Sequence, residues 1–434
     1  MIEKAADRDL VARYVEKVRA TVDEGRLTAA TPADSVDQAL PPPALAPSVD
    51  PSAPYLSRDP ATSLIQSAVE EQAAGQPIDA PPRSAFARLL QRIVNAVDAL
   101  LHPGRFTPDD PNWVIKVGES MVGHLAAGNH PFNPRPATYA ISDSARLVLV
   151  SDWGTGLQEA QAVAAAMGDA VAEGLAQGRD VHVVHLGDVY YSGLPSEYQR
   201  HVLAYWPVTA AQQNAGVTSW SLNGNHDMYS GGFGFFGTLL GDPRFVRQRA
   251  ADGPTSWFHL TSPKWDFIGL DTAWDPDVLS RGNVGVLADP QAAYVRSVAA
   301  FPRAKIALLS HHQYVTAYDQ EDMGPELGRK LGPVLGTGVV RAWWWGHEHR
   351  CMTFRASGGV AFPRCIGNGG VPMIAHDPNA PIPPPGEWEY RAAVERDGKR
   401  WARFGFTVLD LDGDHLHASY RDQDGTEVRA EEID

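Results

Sequence analysis

The sequence predicts an α/β fold with two β-sheets and helices packed outside them. Short apolar runs bounded by glycine and proline are typical of buried strands, and the first of these runs alternate with segments of helical composition. Later apolar runs follow one another without a helix between them. Because alternating strands and helices favour parallel pairing and successive strands favour hairpins, the pattern indicates two sheets rather than one parallel sheet.

The N-terminal region, residues 1–139, is predicted to be an extension of helices and linker. Apolar residues at helical spacing predict one helix up to about residue 26 and another over residues 84–102, which ends at Pro103-Gly104. Between them, over about residues 28–83, the chain is rich in proline, alanine and aspartate. We expect this linker to be extended or disordered, and the second helix to pack on the main body.

The main domain is predicted over residues 140–434. It opens with the buried strand RLVLVSD, followed by an alanine-rich helix that ends at Gly178. The segments after that helix are, in chain order, the strands DVHVVHLGD and TSWSLNGNHD, two strands in SWFHLTSPKWDFIGLDT, the helix PQAAYVRSVAAF, and the strands KIALLSHH, RAWWWGHEH and GVAFPRCIGNGG. A hairpin with its turn at Asp412-Gly413 follows them.

The composition restricts the class of partner. The chain has 434 residues, with 37 Lys and Arg against 52 Asp and Glu, and a net charge of −15 disfavours broad binding to nucleic acid or anionic membranes. The charged N-terminus lacks the apolar core of a signal peptide, and no apolar run has the length of a membrane span. We therefore expect a soluble cytoplasmic protein. Its two cysteines, Cys351 and Cys365, form no disulfide framework, although they could face each other across neighbouring strands.

Potential ligand residues follow several of the predicted strands directly. The segments are SDWGTG with Asp152, GDVYYSG with Asp188 and Tyr191, GNHD with Asn225, His226 and Asp227, SHHQY with His311 and His312, and GHEH with His347 and His349. Each segment alone could be an ordinary polar turn. The carboxyl ends of strands are, however, where open α/β sheets bind ligands.

The spacing of these segments suggests that they meet. Asp188 lies 36 positions after Asp152, and Asn225 lies 37 positions after Asp188, about one strand-helix-strand unit in each case. Residues so spaced can converge on one edge of a sheet. Oxygen and imidazole groups without thiolates suit iron, manganese or zinc, so the sequence predicts a metal site.

The set of motifs resembles the calcineurin-like metallophosphoesterase superfamily, from about residue 140 to the C-terminus. Two details are similar to the purple acid phosphatase branch: glycine follows Asp152-Trp153, and Tyr191 stands three residues after Asp188. The resemblance implies a four-layer α-β-β-α sandwich with two mixed sheets. It also implies a small-molecule phosphate ester as the substrate.

The resemblance further implies two metal ions. One would be held by Asp152, Asp188, Tyr191 and His349, and the other by Asp188 as a bridge with Asn225, His311 and His347. Fe³⁺ with a divalent ion (Fe²⁺, Zn²⁺ or Mn²⁺) and two divalent ions both remain open, since each choice leaves a net charge of about +2 on the centre. In the fourth motif Gln313 replaces the usual proline of the family.

The remaining site residues are predicted from the same motifs. By the family pattern His226 is no ligand; it would donate a proton to the leaving oxygen, with Asp227 holding its ring in orientation. His312 and Tyr229 adjoin the motifs and are predicted to contact the substrate. The predicted function is phosphomonoester hydrolysis. The alternatives are a phosphodiesterase acting on cyclic nucleotides or other diesters, and a non-catalytic scaffold that binds phosphorylated ligands.

Overall fold

The computed structural model describes residues 128–275, 284–301, 303–318, 325–396 and 398–434. The predicted N-terminal helices and the proline-rich linker lie outside these residues. The domain boundary at residue 140 stays a prediction, and the first described strand begins at Ala137.

One of the two large sheets has six strands and carries the first three motifs. Its strands are β2 (Ala145–Val150), β3 (Asp180–His185), β4 (Thr218–Ser221), β16 (Gly405–Asp412), β17 (His415–Asp422) and β18 (Glu427–Ile433). The spatial order is β18-β17-β16-β2-β3-β4. Strands β2, β3 and β4 are parallel, whereas β16 to β18 form antiparallel hairpins, so the sheet is mixed.

The other large sheet has eight strands and carries the fourth and fifth motifs. Its strands are β1 (Ala137–Ala140), β7 (Phe258–Thr261), β8 (Trp265–Leu270), β9 (Lys305–Ser310), β10 (Val340–Trp345), β11 (Cys351–Phe354), β12 (Phe362–Ile366) and β13 (Gly386–Glu389). The spatial order is β1-β7-β8-β9-β10-β12-β11-β13, with β8, β9, β10 and β12 parallel. Two short ribbons, β5 with β6 (Arg249–Ala250 with Gly253–Pro254) and β14 with β15 (Ala393–Arg396 with Lys399–Ala402), stand apart from both sheets.

Helical segments cover the outer faces. The α-helices are α1 (Gln158–Ala176), α2 (Pro195–Glu197), α3 (Ala210–Asn214), α4 (Asn225–Tyr229), α5 (Asp289–Ala300) and α6 (Pro325–Leu335). Helix α2 continues into a π-helical segment, Tyr198–Leu203; a second π-helical segment spans Gly234–Leu239 and a 3₁₀ turn spans Pro243–Phe245.

Alternation of side chains along the strands builds the layers. In β2, Leu147 and Leu149 point into the core between the sheets, while Val148 and Val150 point outward under α1. In β9, Leu309 likewise joins the inner core. Burial of each such side chain contributes about 1.5–3 kcal/mol. The predicted four-layer α-β-β-α sandwich with two mixed sheets is confirmed.

The two cysteines do not face each other. Cys351 lies opposite Ile366 in the β11–β12 pair and packs into the core between the sheets. Cys365 lies opposite Met352 and packs into the outer core. Since successive residues of a strand point to opposite faces, both thiols are buried and unpaired.

Candidate metal centre

The five predicted motifs meet where the two sheets end side by side. Asp152, Asp188 and Asn225 follow the carboxyl ends of β2, β3 and β4, and His311 and His347 follow those of β9 and β10. The two edges are joined by contacts across the sandwich, such as the hydrogen bond from the His347 amide to Asp152 Oδ2 (2.8 Å). The sheet edge predicted from strand spacing is therefore a single cluster in space.

Asp152 lies at one side of this cluster and is fully buried. Its Oδ1 atom is 3.3 Å from His349 Nε2, and Ser151 Oγ donates to its Oδ2 atom (2.8 Å). The phenol of Tyr190 reaches the same place, with its oxygen 3.2 Å from Asp152 Oδ1 and 3.0 Å from His349 Nε2. These oxygen and nitrogen atoms are close enough to share one ion.

Asp188 lies between the two sides. Its Oδ2 atom is 3.0 Å from the Tyr190 phenol and 3.3 Å from His311 Nε2. The same His311 nitrogen is 3.0 Å from Asn225 Oδ1 and 3.2 Å from His347 Nδ1. Asp188 thus contacts the phenol beside Asp152 and His349 on one side and His311 on the other, as a bridging carboxylate would.

Second contacts orient these side chains. His311 Nδ1 lies 3.1 Å from the Leu186 carbonyl, which accepts the hydrogen of Nδ1. The other ring nitrogen, Nε2, therefore faces Asp188. The Asn225 amide nitrogen donates to the Tyr229 hydroxyl (2.6 Å), and this contact turns Asn225 Oδ1 toward His311. The His311 ring and the Asn225 amide are therefore oriented by contacts within the protein.

Two glycines let the backbone pass next to the carboxylates. A Cβ on Gly346 would overlap Ser151 Oγ and Asp152 Oδ2, and a Cβ on Gly224 would overlap Asp188 Oδ1. Any larger residue at either position would displace a carboxylate.

Backbone conformation marks the same residues. Among the described residues, the non-glycine positions with positive φ are Asp152 (55°), Asp188 (73°), His347 (65°) and His349 (54°). An L-residue in this region costs roughly 1–2 kcal/mol relative to the right-handed region. Such conformations persist only where the surrounding structure requires them, and they cluster at functional sites. All four positions are predicted ligands.

The electrostatics of the cluster favour a positive charge beside the Asp188 carboxylate. Burial would raise the pKa of Asp188, but the charges of His311 and His226 outweigh burial and lower it well below its usual range. Conversely, burial would lower the pKa of His311, but the Asp188 carboxylate raises it to about 9. A proton on His311 thus supplies the positive charge that a cation would otherwise bring.

The residues present fit a pair of metal ions. The ligand atoms of Asp152, Asp188 and His311 lie within 4.8 Å of one another, as do those of His311, His312 and His347, and all are buried. Carboxylate, amide and imidazole donors without thiolate suit iron, manganese and zinc. The cluster that includes His312 goes beyond the predicted ligand set.

His226 stands beside Asp188 with one nitrogen directed to the cluster. Its Nδ1 lies 2.6 Å from the Tyr191 carbonyl, so Nδ1–H donates there, and Nε2 lies 3.9 Å from Asp188 Oδ2. This Nε2 atom is buried and has no hydrogen-bond partner among the described residues. Burial lowers the pKa of His226, and the charge of Asp188 opposes that effect.

Asp227 differs from the expectation that it orients the His226 ring. Its carboxylate accepts from the backbone amides of Gly224, Asp188 and Val189 and from the Tyr198 hydroxyl. Burial and the nearby Asp188 charge raise the pKa of Asp227 to about 7. Asp227 therefore ties two motif loops together, while the carbonyl of Tyr191 orients His226.

The tyrosine whose phenol contacts Asp152, Asp188 and His349 is Tyr190, which was not among the predicted site residues. The predicted Tyr191 is half-buried, and its backbone amide and carbonyl contact Glu197 and His226. The motif spacing favours Tyr191 because it counts three residues from Asp188. Two adjacent tyrosines in the motif were the signal that either phenol could reach the site.

The predicted substrate residues, His312 and Tyr229, lie at the cluster and contact other side chains of the protein. His312 Nδ1 is 3.0 Å from Thr272 Oγ1, and the Tyr229 ring packs 4.8 Å from that of His226. Their contact with substrate stays a prediction. Glu348 turns away from the carboxylates, since it accepts from Trp345 Nε1 (3.0 Å) and from Thr316 Oγ1.

The fold and the site together are consistent with one class of protein. Two mixed sheets between helical layers, with buried carboxylate, amide and imidazole groups at their joined edges, are consistent with the calcineurin-like phosphoesterase fold. Residues 145–351 match the family model of the calcineurin-like phosphoesterases, and this range holds every predicted ligand from Asp152 to His349. The match supports membership of that superfamily and a phosphoester hydrolase activity in general.

Several solved structures are similar to this chain in fold alone. GAP50, the anchor in the inner membrane complex of Plasmodium, is 12% identical, with 67% of this chain and 89% of that chain covered and a TM-score of 0.47. The sulfate thiohydrolase SoxB of Thermus thermophilus is 12% identical, with 70% and 57% covered and a TM-score of 0.32. The cold-active protein-tyrosine phosphatase of a Shewanella species is 14% identical, with 69% and 83% covered and a TM-score of 0.28.

Among curated proteins, none matches this chain. None of the helices in the described part of the chain is long and apolar enough to cross a membrane. The cytoplasmic location stays a prediction.

Proposed function

We propose that this protein hydrolyses phosphate monoesters at a dinuclear metal centre of the purple acid phosphatase type. The observation that carries the proposal is the positive φ of Asp152, Asp188, His347 and His349, the non-glycine residues of the described chain in that region. Four such conformations at one sheet edge cost free energy, and a compensating interaction is expected there. Ligation of metal ions between two buried carboxylates would supply it. The family match over residues 145–351 supports the same reaction class.

The ligands divide into two sets around Asp188. Asp152, His349 and a tyrosine phenol would hold one ion, and Asn225, His311 and His347 the other, with Asp188 shared. When bound, the pair would activate a water nucleophile and stabilise charge on the phosphoryl group. Iron with a divalent ion and two divalent ions both suit these donors.

His226 is the proposed general acid. With Nδ1–H held by the Tyr191 carbonyl, Nε2 is the atom that can carry a proton toward the cluster. As the phosphorus–oxygen bond of the ester breaks, this proton passes to the leaving oxygen. Because Nε2 has no hydrogen-bond partner among the described residues, no protein acceptor there competes with a substrate for its proton.

One observation favours diesters as the second candidate. Arg350 is the cation nearest to the motifs in sequence, but its guanidinium contacts Glu389 (3.3 Å) and lies over the Tyr318 ring (4.9 Å). An arginine so engaged offers little to the second negative charge of a monoester dianion. A diester, which carries one charge, needs no such partner.

The test is turnover by metal-restored protein on aryl phosphate monoesters and diesters. We expect the wild type to hydrolyse an ester and Asp188→Asn to lose that activity, because the shared ligand is removed. The ratio of rates on the two ester classes separates the two candidates. If wild type and Asp188→Asn are equally inactive while the protein retains metal and captures a phosphorylated ligand, the protein is a binding scaffold and the enzyme proposal is wrong.

A further inference from the structure

The loop between Tyr190 and Leu194 is held by one buried carboxylate, that of Glu197. Its Oε1 atom accepts from the Tyr191 amide (2.7 Å), and its Oε2 atom accepts from the amides of Ser192 (3.1 Å) and Leu194 (2.8 Å). Glu197 is fully buried. A buried carboxylate is costly unless hydrogen bonds compensate it, and here three backbone amides do so.

Part of this arrangement is ordinary helix capping. Glu197 is the third residue of the short helix that begins at Pro195, and a glutamate there commonly reaches back to the residue before the helix, here Leu194. The bonds to Ser192 and Tyr191 extend beyond the helix into the motif loop. Capping alone requires neither of them.

This loop carries two groups of the site. The Tyr190 phenol reaches Asp188, and the Tyr191 carbonyl accepts from His226 Nδ1 (2.6 Å). The Tyr191 carbonyl and the Ser192 amide belong to one peptide group, so this group links Glu197 Oε2 to His226 Nδ1. The segment after Glu197 adds to the same support, since His201 Nδ1 lies 2.8 Å from the Tyr190 carbonyl.

We propose that Glu197 is the positioning residue of the general acid. Its carboxylate orients the peptide group between Tyr191 and Ser192 through the Ser192 amide, and the Tyr191 carbonyl of that group aims Nε2 of His226 at the leaving oxygen. Glu197 itself touches neither substrate nor metal. The inference rests on the proposed phosphoesterase function and names the residue on which its proton transfer depends.

Glu197→Gln is the informative substitution because glutamine keeps the shape of the side chain. In either orientation of the glutamine amide its NH₂ group faces a backbone N–H, that of Tyr191 or those of Ser192 and Leu194, and donors oppose each other. The backbone of Tyr191 and Ser192 then loses a partner, and the Tyr191 carbonyl no longer fixes the direction of the His226 ring. Asp180→Asn is the matched control, since Asp180 accepts from the Ser142 amide at the opposite, amino-terminal end of β3.

The readout is the dependence of kcat on the leaving group. Poor leaving groups need the proton from His226, whereas good ones depart without it, so a displaced acid slows the first class alone. For Glu197→Gln we expect kcat on phenyl phosphate to fall at least about tenfold and kcat on 4-nitrophenyl phosphate less than about threefold, with KM unchanged. In a His226→Ala background, adding Glu197→Gln should cost nothing more, because the two residues act as one unit.

Metal content and the control decide between explanations. Elemental analysis after dialysis should find as much metal in Glu197→Gln as in the wild type, and Asp180→Asn should keep the wild-type leaving-group dependence. Equal losses of kcat on both esters, or a loss of bound metal, would overturn the inference. Glu197 would then support the metal ligands rather than the general acid. A wild type that hydrolyses neither ester overturns the proposed function itself.

Discussion

The phenol oxygen of Tyr190 lies 3.0 Å from Nε2 of His349, in the position that the motif spacing assigns to Tyr191. Tyr190 and Tyr191 belong to one loop, so removing the hydroxyl oxygen from each ring in turn tests which phenol is the ligand. In protein loaded with Fe³⁺, we expect Tyr190→Phe to lose the visible tyrosinate-to-iron absorption band and Tyr191→Phe to keep it. The reverse pattern would restore Tyr191. A wild type with no band would argue for two divalent ions.

Gly346 makes a second prediction, because a side chain there has no room. The methyl group of Gly346→Ala would overlap Ser151 Oγ and Asp152 Oδ2, and it would move the Asp152 carboxylate. We expect weaker Mn²⁺ binding by titration calorimetry and a lower melting temperature. Gly332→Ala in α6 is the control, since nothing lies within 4 Å of its added methyl group and alanine favours a helix. Equal Mn²⁺ affinity in the two variants would contradict this steric account.

Removal of metal should destabilise the fold. Asp152 and Asp188 are both fully buried, and an ion that binds the folded chain alone raises the free energy of unfolding, by about 2.7 kcal/mol at a hundredfold excess over Kd. We expect EDTA to lower Tm and Mn²⁺ to restore it in the wild type. The Asp188→Asn variant should show a much smaller shift. A Tm that ignores EDTA in metal-loaded wild type would argue against an ion between these carboxylates.

A buried ion pair between the two sheets predicts a pH dependence of stability. Arg364 in β12 contacts Glu431 in β18 through two bonds of 2.7 Å, and Tyr420 donates to the same carboxylate. Burial would raise the pKa of Glu431, but Arg364 lowers it. A carboxyl with a lowered folded-state pKa contributes stability above its unfolded pKa of about 4.3, and this stability is lost as the pH falls through the folded value.

The measurement for this pair is urea unfolding of Glu431→Gln. At pH 7 the variant leaves Arg364 buried without its charge partner, which costs about 3–5 kcal/mol. The difference from the wild type should shrink as the pH falls through the lowered folded-state pKa of Glu431, because the wild-type carboxyl then becomes protonated as well. Glu432→Gln serves as control because the neighbouring Glu432 side chain is 62% exposed. A difference in the free energy of unfolding that is the same at pH 7 and at low pH would contradict the assigned charge pair.

The sequence by itself determined the layers and the position of the site. Short continuous apolar runs specify buried strands such as β2 and β9, and the two faces of each strand lie in different cores. Residues that follow the carboxyl ends of parallel strands meet at one edge, so Asp152, Asp188 and Asn225 could be brought together from their spacing, whereas His311 was assigned to the site by its resemblance to the family motif. This inference works because strand periodicity is local and sheet geometry is regular.

Only the tertiary structure decided what supports the site. The alternation rule ends where a strand ends, so it does not decide between Tyr190 and Tyr191. Asp227 contacts the backbone of Asp188, and Glu197 the backbone of Tyr191, through loops whose conformation no periodicity specifies. Backbone amides carry no side-chain identity that a sequence pattern could match. Candidate ligands could therefore be named from the motifs, whereas the groups that hold the loops and contact His226 required the folded chain.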